Sequence, residues 1–171
     1  MSTATATAEK PTFATGLDIA EPSRAKLIEL LNARLADVLD LFTQTKHAHW
    51  NVKGPDFIQL HELFDDLAEH VEGHGDLIAE RAVMLGGRAH GTARIAAAHS
   101  KIGEYDLNAV DGVEHVQALS KQYAKVANAV RAAIKASDDA DDPTTADLFT
   151  QVSRQMDMDL WFLEAHLQAK R

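Results

Sequence analysis

The sequence predicts an all-α fold: a four-helix bundle whose long middle connection carries a short extra helix. Three observations predict it. Apolar residues recur at helical spacing in four long segments, and no segment alternates as a half-buried strand does. The breakers Gly54-Pro55, Gly86-Gly87 and Pro143 fall between those segments. The chain has 171 residues, 46% of them hydrophobic, which suits one domain around a single core. Four long helices with one longer connection are the pattern of a bundle with a crossover.

Residues 1–22 are rich in Thr and Ala and have no periodic apolar face, so a flexible tail is expected there, with the folded domain over 23–171. Ser23 is the expected N-cap of a first helix running to about His49, marked by Leu27, Leu30, Leu31, Leu35, Val38, Leu41 and Phe42. Asn51 to Asp56 forms a turn, with Pro55 placed to open the next helix. That second helix extends from about Asp56 to Leu85 and stops at Gly86-Gly87. A short helix is expected near Ala93 to His99, a third long one over Asp111 to Ala136, and a fourth over Thr144 to Gln168. Asp138 to Pro143 is an acidic break between the last two.

Composition narrows the functional classes. There is no cysteine, which excludes disulfides, thiolate metal sites and thiol catalysis and fits a reducing cytoplasm. No apolar run reaches the roughly 18 residues of a membrane span, and no secretory-signal pattern is present. The formal net charge of −9 is the wrong sign for a general nucleic-acid binder. Nine histidines are many for this length, and their positions carry information.

The second helix carries the chemistry. Each residue advances about 100° around a helix. With His61 at zero, Asp65, Asp76 and Glu80 fall near 40°, 60° and 100°, and Glu69 and Glu72 share the sector. Leu60, Phe64, Leu67, Val71, Ile78, Ala82 and Leu85 gather on the far side. A solvated acidic face would give the same stripe. The spacing says more: His61/Asp65 and Asp76/Glu80 are both i, i+4 pairs, able to share one ligand. Oxygen-rich sets with an imidazole or two suit iron or manganese, and also accept zinc. Yet His61 and Asp76 lie about 22 Å apart along the axis, whereas metal–ligand bonds are near 2 Å. If two copies of this helix pack antiparallel about a two-fold near residues 70 and 71, each pair meets the other pair of its mate, giving two equivalent interface sites. Two separate weak sites per chain are the competing reading. His49, at the end of the first helix, is placed to complete the His61/Asp65 half; it would otherwise serve as a partner of the helix dipole.

His74 stands between Gly73 and Gly75 inside this helix. On the wheel it falls near 220°, away from the stripe. It is expected to be partly buried and hydrogen-bonded rather than a ligand, unless a bulge at Gly73 rotates it toward the metal. The glycines would allow close approach of a neighbouring helix.

At Lys46-His-Ala-His-Trp-Asn51, Phe57-Ile-Gln-Leu-His-Glu-Leu-Phe-Asp65 and Asp76-Leu-Ile-Ala-Glu-Arg-Ala-Val-Met-Leu-Gly-Gly87 the chain resembles the Dps family, the starvation-induced mini-ferritins. Weaker similarity continues over 147–167. The resemblance implies a ferritin-like bundle assembled as a hollow homododecamer with ferroxidase centres between two-fold-related subunits. It implies His49, His61 and Asp65 from one subunit and Asp76 and Glu80 from its mate as ligands, with Trp50 beside them. It further implies oxidation of Fe(II), preferably by hydrogen peroxide rather than dioxygen, storage of Fe(III) oxide in the cavity and protection of DNA from oxidative damage. Iron is the implied metal, with zinc or manganese as substitutes, and the location cytoplasmic, in reach of the nucleoid. Asp142 and Asp147 match the start of the helix where the family lines a pore with acids; a solvated loop and a favourable charge at a helix N-terminus account for the same residues.

The chain departs from the family in its tail. Lys10 is offset by Glu9, Asp18 and Glu21, so DNA binding is expected to be weak or absent. A nucleoid-compacting protein with little ferroxidase activity is the alternative reading, and a purely structural helical oligomer a third. The absence of Glu three positions before any histidine argues against an intramolecular di-iron centre of the Glu-x-x-His kind.

Overall fold

A computed structural model describes residues 13–169. It contains α1 (Glu21–Asn51), α2 (Phe57–Met84), α3 (Ala93–His99), α4 (Gly112–Asp138) and α5 (Pro143–Ala165). Among the described residues there is no strand, only an isolated bridge from Lys53 to Asp111. Short turns make α1 and α2, and likewise α4 and α5, packed neighbours. Contacts of α1 with α4 and of α2 with α5 close the four-helix bundle, and α3 rests on α1. No helix among the described residues is long and apolar enough to cross a membrane.

The helix ends differ from expectation in instructive ways. α1 starts at Glu21, with Ala20 at the cap position and no side-chain cap, so Ser23 lies inside the first turn. Pro22 explains this: its fixed φ suits the first turn and its missing N–H needs no acceptor. Pro55 belongs to the turn before α2 instead of opening the helix. α4 begins with a capping box, the Asp111 side chain accepting from the Glu114 backbone while Glu114 accepts from that of Asp111. Of the expected tail, residues 1–12 lie outside the described residues. Phe13 N donates to Gly86 O at 3.0 Å, and the Arg88 guanidinium lies 5.7 Å from the Phe13 ring centroid. Gly86 has φ of 85°, and a Cβ there would strike the Phe13 carbonyl, so glycine is required at this stop.

The core is built from the apolar stripes the periodicity marks. Leu27, Leu31 and Leu41 of α1 meet Phe64, Val71 and Ile78 of α2, all buried. Tyr123 and Phe149 contribute from α4 and α5. The Tyr123 hydroxyl lies 3.3 Å from both Leu67 O and Thr45 Oγ1, so the largest buried polar group is satisfied.

Polar groups hold the long connection against the bundle. Buried Asp37 pairs with Arg34 at 2.8 Å and accepts from Lys101 N at 2.8 Å. Gln44 Nε2 donates to Gly103 O at 2.9 Å. Tyr105 Oη lies 2.7 Å from Nδ1 of His115, which is wholly buried. Burial, reinforced by the neighbouring His47, pushes the His115 pKa below its ordinary 6.5. The folded chain therefore refuses a proton that the unfolded chain accepts, and stability present above about pH 6.5 is lost as pH falls toward the folded value. The urea midpoint is expected to drop between pH 7 and pH 5, and His115→Asn should shrink that drop. An identical drop in the variant would remove His115 as a cause.

Candidate metal centre

The turn between α1 and α2 sets His49 and His61 side by side. Their rings stack with centroids 3.8 Å apart and planes 21° from parallel. Each holds the other's backbone: His49 Nδ1 donates to His61 O at 2.8 Å, and His61 Nδ1 donates to His49 O at 2.9 Å. A carbonyl can only accept, so both Nδ1 atoms carry hydrogen and both Nε2 lone pairs remain available. This is the usual support of a metal-ligating histidine. Asp65, one turn beyond His61, places Oδ1 at 3.9 Å from His49 Nδ1. The exposed Asp65 carboxyl is held below the usual carboxylate range, first by its hydrogen bond from Lys46, whose Nζ is 2.5 Å from Oδ1, and also by nearby His49 and His61. Phe57 flanks the His61 ring at 5.2 Å. Trp50 is exposed beside this cluster, with Lys46 Nζ 6.0 Å from its ring centroid.

His49, His61 and Asp65 are thus brought together as the spacing predicts. Asp76 and Glu80 are not. Both are exposed on the same continuous helix, about 22 Å from His61 along its axis. Among the described residues, no group of three or more His, Asp or Glu side chains could hold a metal ion. The chain places two imidazoles and a carboxylate near one end of α2 and two exposed carboxylates further along the same helix.

Beside Asp76 lies an open groove, floored by Leu35 and Leu39 of α1 and edged by Glu69, Glu72 and Gly73 of α2. A Cβ at Gly73 would meet nothing within 4 Å, whereas one at Gly75 would make ordinary contacts with Val38 and Leu39 at 3.6 and 3.7 Å. Gly75 therefore faces α1 and Gly73 faces open space.

His74 is buried as expected, but its Nε2 has no hydrogen-bond partner, contrary to the expectation of a satisfied imidazole. Burial, helped by the charge of His70, pushes its pKa down to about 4. α2 is regular through this segment, so no bulge turns His74 toward Asp76.

The expectation for Asp142 is corrected. Its carboxylate is buried as the cap of α5, accepting from Thr144 N and Thr145 N, and is paired with Arg81 at 2.8 Å. A carboxylate so enclosed and neutralised cannot line a pore. Asp147, by contrast, is exposed.

Sequence reasoning missed Lys46, although it stands one turn before His49 and Trp50 on the same stretch of α1. It also missed the pair His70 Nδ1–Asp159 Oδ1 at 3.1 Å, whose members no local spacing connects.

The comparisons agree with this architecture. The model of the ferritin-like domain matches residues 28–171. A DNA protection during starvation protein of Agrobacterium fabrum is 46% identical over 159 residues, covering 93% of this chain and 98% of its own length. Among solved structures, DpsA14 from Streptomyces coelicolor superposes with a TM-score of 0.89 at 35% identity, covering 94% of this chain and 96% of that one. Dps of Mycobacterium smegmatis gives 0.88 at 30% identity, covering 92% and 95%. With helix order and relatives in accord, the chain belongs to the ferritin-like family and, within it, to the Dps, or DNA protection during starvation, proteins.

Proposed function

We propose that this protein is a ferroxidase and iron store that protects DNA by removing Fe(II) and hydrogen peroxide together. The observation that carries this is the reciprocal locking of His49 and His61, which frees both Nε2 atoms beside Asp65, while the carboxylates that would complete the site lie out of reach on the same helix. A second copy solves the distance. With two α2 helices antiparallel about a two-fold near residues 70 and 71, His49, His61 and Asp65 of one chain face Asp76 and Glu80 of the other. The apolar floor and the bare Gly73 of the adjoining groove suit a close helix crossing.

Iron is the substrate. Two Fe(II) ions each give one electron to hydrogen peroxide, whose O–O bond breaks. Two protons are taken up and two waters leave, so no hydroxyl radical is released. Carboxylates retain the hard Fe(III) product. Trp50 and Phe57 bound the site with apolar surface. Peroxide is preferred over dioxygen, the Fe(III) oxide collects inside a dodecameric shell, and Asp147 contributes to an acidic entry that concentrates cations. The protein acts in the cytoplasm.

Native mass measurement together with anaerobic stopped-flow oxidation tests the reading. A mass near twelve chains, with peroxide-driven oxidation faster than in buffer, is the expected result. A stable monomer, or no acceleration, overturns it.

Compaction of DNA is the second reading, and net charge favours the first. The charge of −9 per chain opposes approach to phosphates, and Arg24, near the start of α1, has its Nη1 engaged by Leu85 O at 3.1 Å. Gel shifts at about 150 mM salt should show little retained DNA. Tight complexes at that salt would make compaction the leading role.

A further inference from the structure

A second groove opens between α2 and α5. It is lined by Glu69, His70, His74, Gln151, Gln155 and Met158, and takes no part in the centre described above. We propose that this groove is a divalent transition-metal site in which His70 and His74 supply two imidazole nitrogens and water completes the coordination.

His70 and His74 are one turn apart on α2, so their side chains stand over the same patch. Asp159 of α5 is fully buried, and its Oδ1 accepts from His70 Nδ1 at 3.1 Å and from Gln155 Nε2 at 2.8 Å. With Asp159 ionised, Nδ1 of His70 carries the hydrogen and its Nε2 lone pair is unused; Gln155 Nε2, 3.3 Å from the same Nδ1, donates to Asp159 Oδ1 instead. A carboxylate behind an imidazole both orients the ring and raises its basicity toward a metal. His74 supplies the second observation. Only 7% of it is exposed, yet its Nε2 has no partner. An unpaired buried polar atom costs free energy, and coordination would give it the partner it lacks. Asp159 Oδ2 is likewise buried and unpaired, so the pocket wall carries more acceptor capacity than the protein uses.

The local charge agrees. Glu69 stands on the rim and Asp159 behind His70, while Arg154, the cation on the groove wall, is drawn along α5 by its Nε donating to Thr150 O at 3.4 Å. Two imidazoles without a thiolate favour Zn(II), Cu(II) or Ni(II) over Mg(II) or Ca(II). Only two protein nitrogens are involved, which accords with the lack of any three-residue His/Asp/Glu cluster among the described residues.

The test uses the full chain carrying His49→Asn, His61→Asn and Asp65→Asn together with Asp76→Ala and Glu80→Ala, so that metal taken up by either half of the proposed ferroxidase centre is not counted. Cu(II) is titrated in, electron paramagnetic resonance reads the nitrogen hyperfine pattern, and Zn(II) serves as competitor. About one Cu(II) per chain with a two-nitrogen pattern is expected, with Zn(II) competing only in large excess, as the order of divalent affinities requires. Adding His70→Asn, at a half-exposed position, should remove that ion with helix content and native mass unchanged. His74→Asn should do the same, and Asp159→Asn should weaken binding while keeping the nitrogen pattern. Unchanged stoichiometry and spectrum in the His70→Asn chain overturn the proposal, whatever the outcome of iron oxidation in the unsubstituted protein. Should His74→Asn not fold, the His70→Asn result decides.

Discussion

Chains carrying His61→Ala and Asp65→Ala, co-expressed in equal amount with chains carrying Asp76→Ala and Glu80→Ala, are expected to recover about one quarter of the unsubstituted oxidation rate, although each variant alone is inactive. The figure follows from symmetry. Random pairing makes half of the two-fold pairs mixed. In a mixed pair one interface site collects every substitution and the other collects none. Half the pairs with half their sites intact leaves a quarter. If both ligand sets served one chain, no mixture would contain an intact site and the rate would remain at background. Stopped-flow oxidation of Fe(II) by peroxide under anaerobic conditions, with native mass to verify assembly, separates the two cases. Homogeneous Asp76→Ala/Glu80→Ala protein should assemble normally, because both side chains are exposed and bonded to nothing that holds the fold.

Much of α2 was legible in the sequence because it rests on period. A repeat near 3.6 residues is written into α2, and the residues placed on its apolar face, such as Phe64, Val71 and Ile78, are the buried ones. The same wheel exposed Asp76 and Glu80, and the rise per residue showed that they cannot reach His61. What remained illegible depends on contacts between distant segments. Nothing near Asp142 in sequence announces Arg81, so an acidic run that looked free for a pore contains one buried, paired member. Ser23 resembled a cap until Pro22 moved the helix start. His74 was placed correctly by angle, but whether a partner waits for its Nε2 depends on α5. Lys46 could have been foreseen, since helical spacing puts it beside Trp50 and toward α2, where Asp65 binds it.

Arg81→Met is expected to be among the most destabilising single substitutions outside the apolar core. Arg81 Nη2 donates to both Asp142 oxygens at 3.0 and 2.8 Å, and its Nε donates to Thr145 Oγ1 at 2.8 Å. Thr145 Oγ1 in turn donates to Asp142 Oδ2. The network joins the end of α2 to the start of α5. Burial alone would raise the Asp142 pKa, but the hydrogen bonds from Thr145 and Arg81 outweigh it and hold the carboxyl below 3.8. Removing Arg81 leaves that carboxylate buried and unpaired, at a cost of about 3–5 kcal/mol. For a chain of this length that lowers Tm by roughly 10 °C at fixed chain concentration. Arg81→Met with Asp142→Asn should recover most of the loss: Asn still caps α5, and no charge is left buried. The pH dependence adds a second check. Because the folded pKa of Asp142 is depressed, its contribution is present above about pH 4 and lost as pH falls through the folded value, so the acid limb should flatten when Arg81 is removed. Calorimetry of the single and double variants at pH 7 and at low pH decides the matter: a double variant as unstable as Arg81→Met alone would show that packing by the arginine stem, and not the stranded charge, sets the cost.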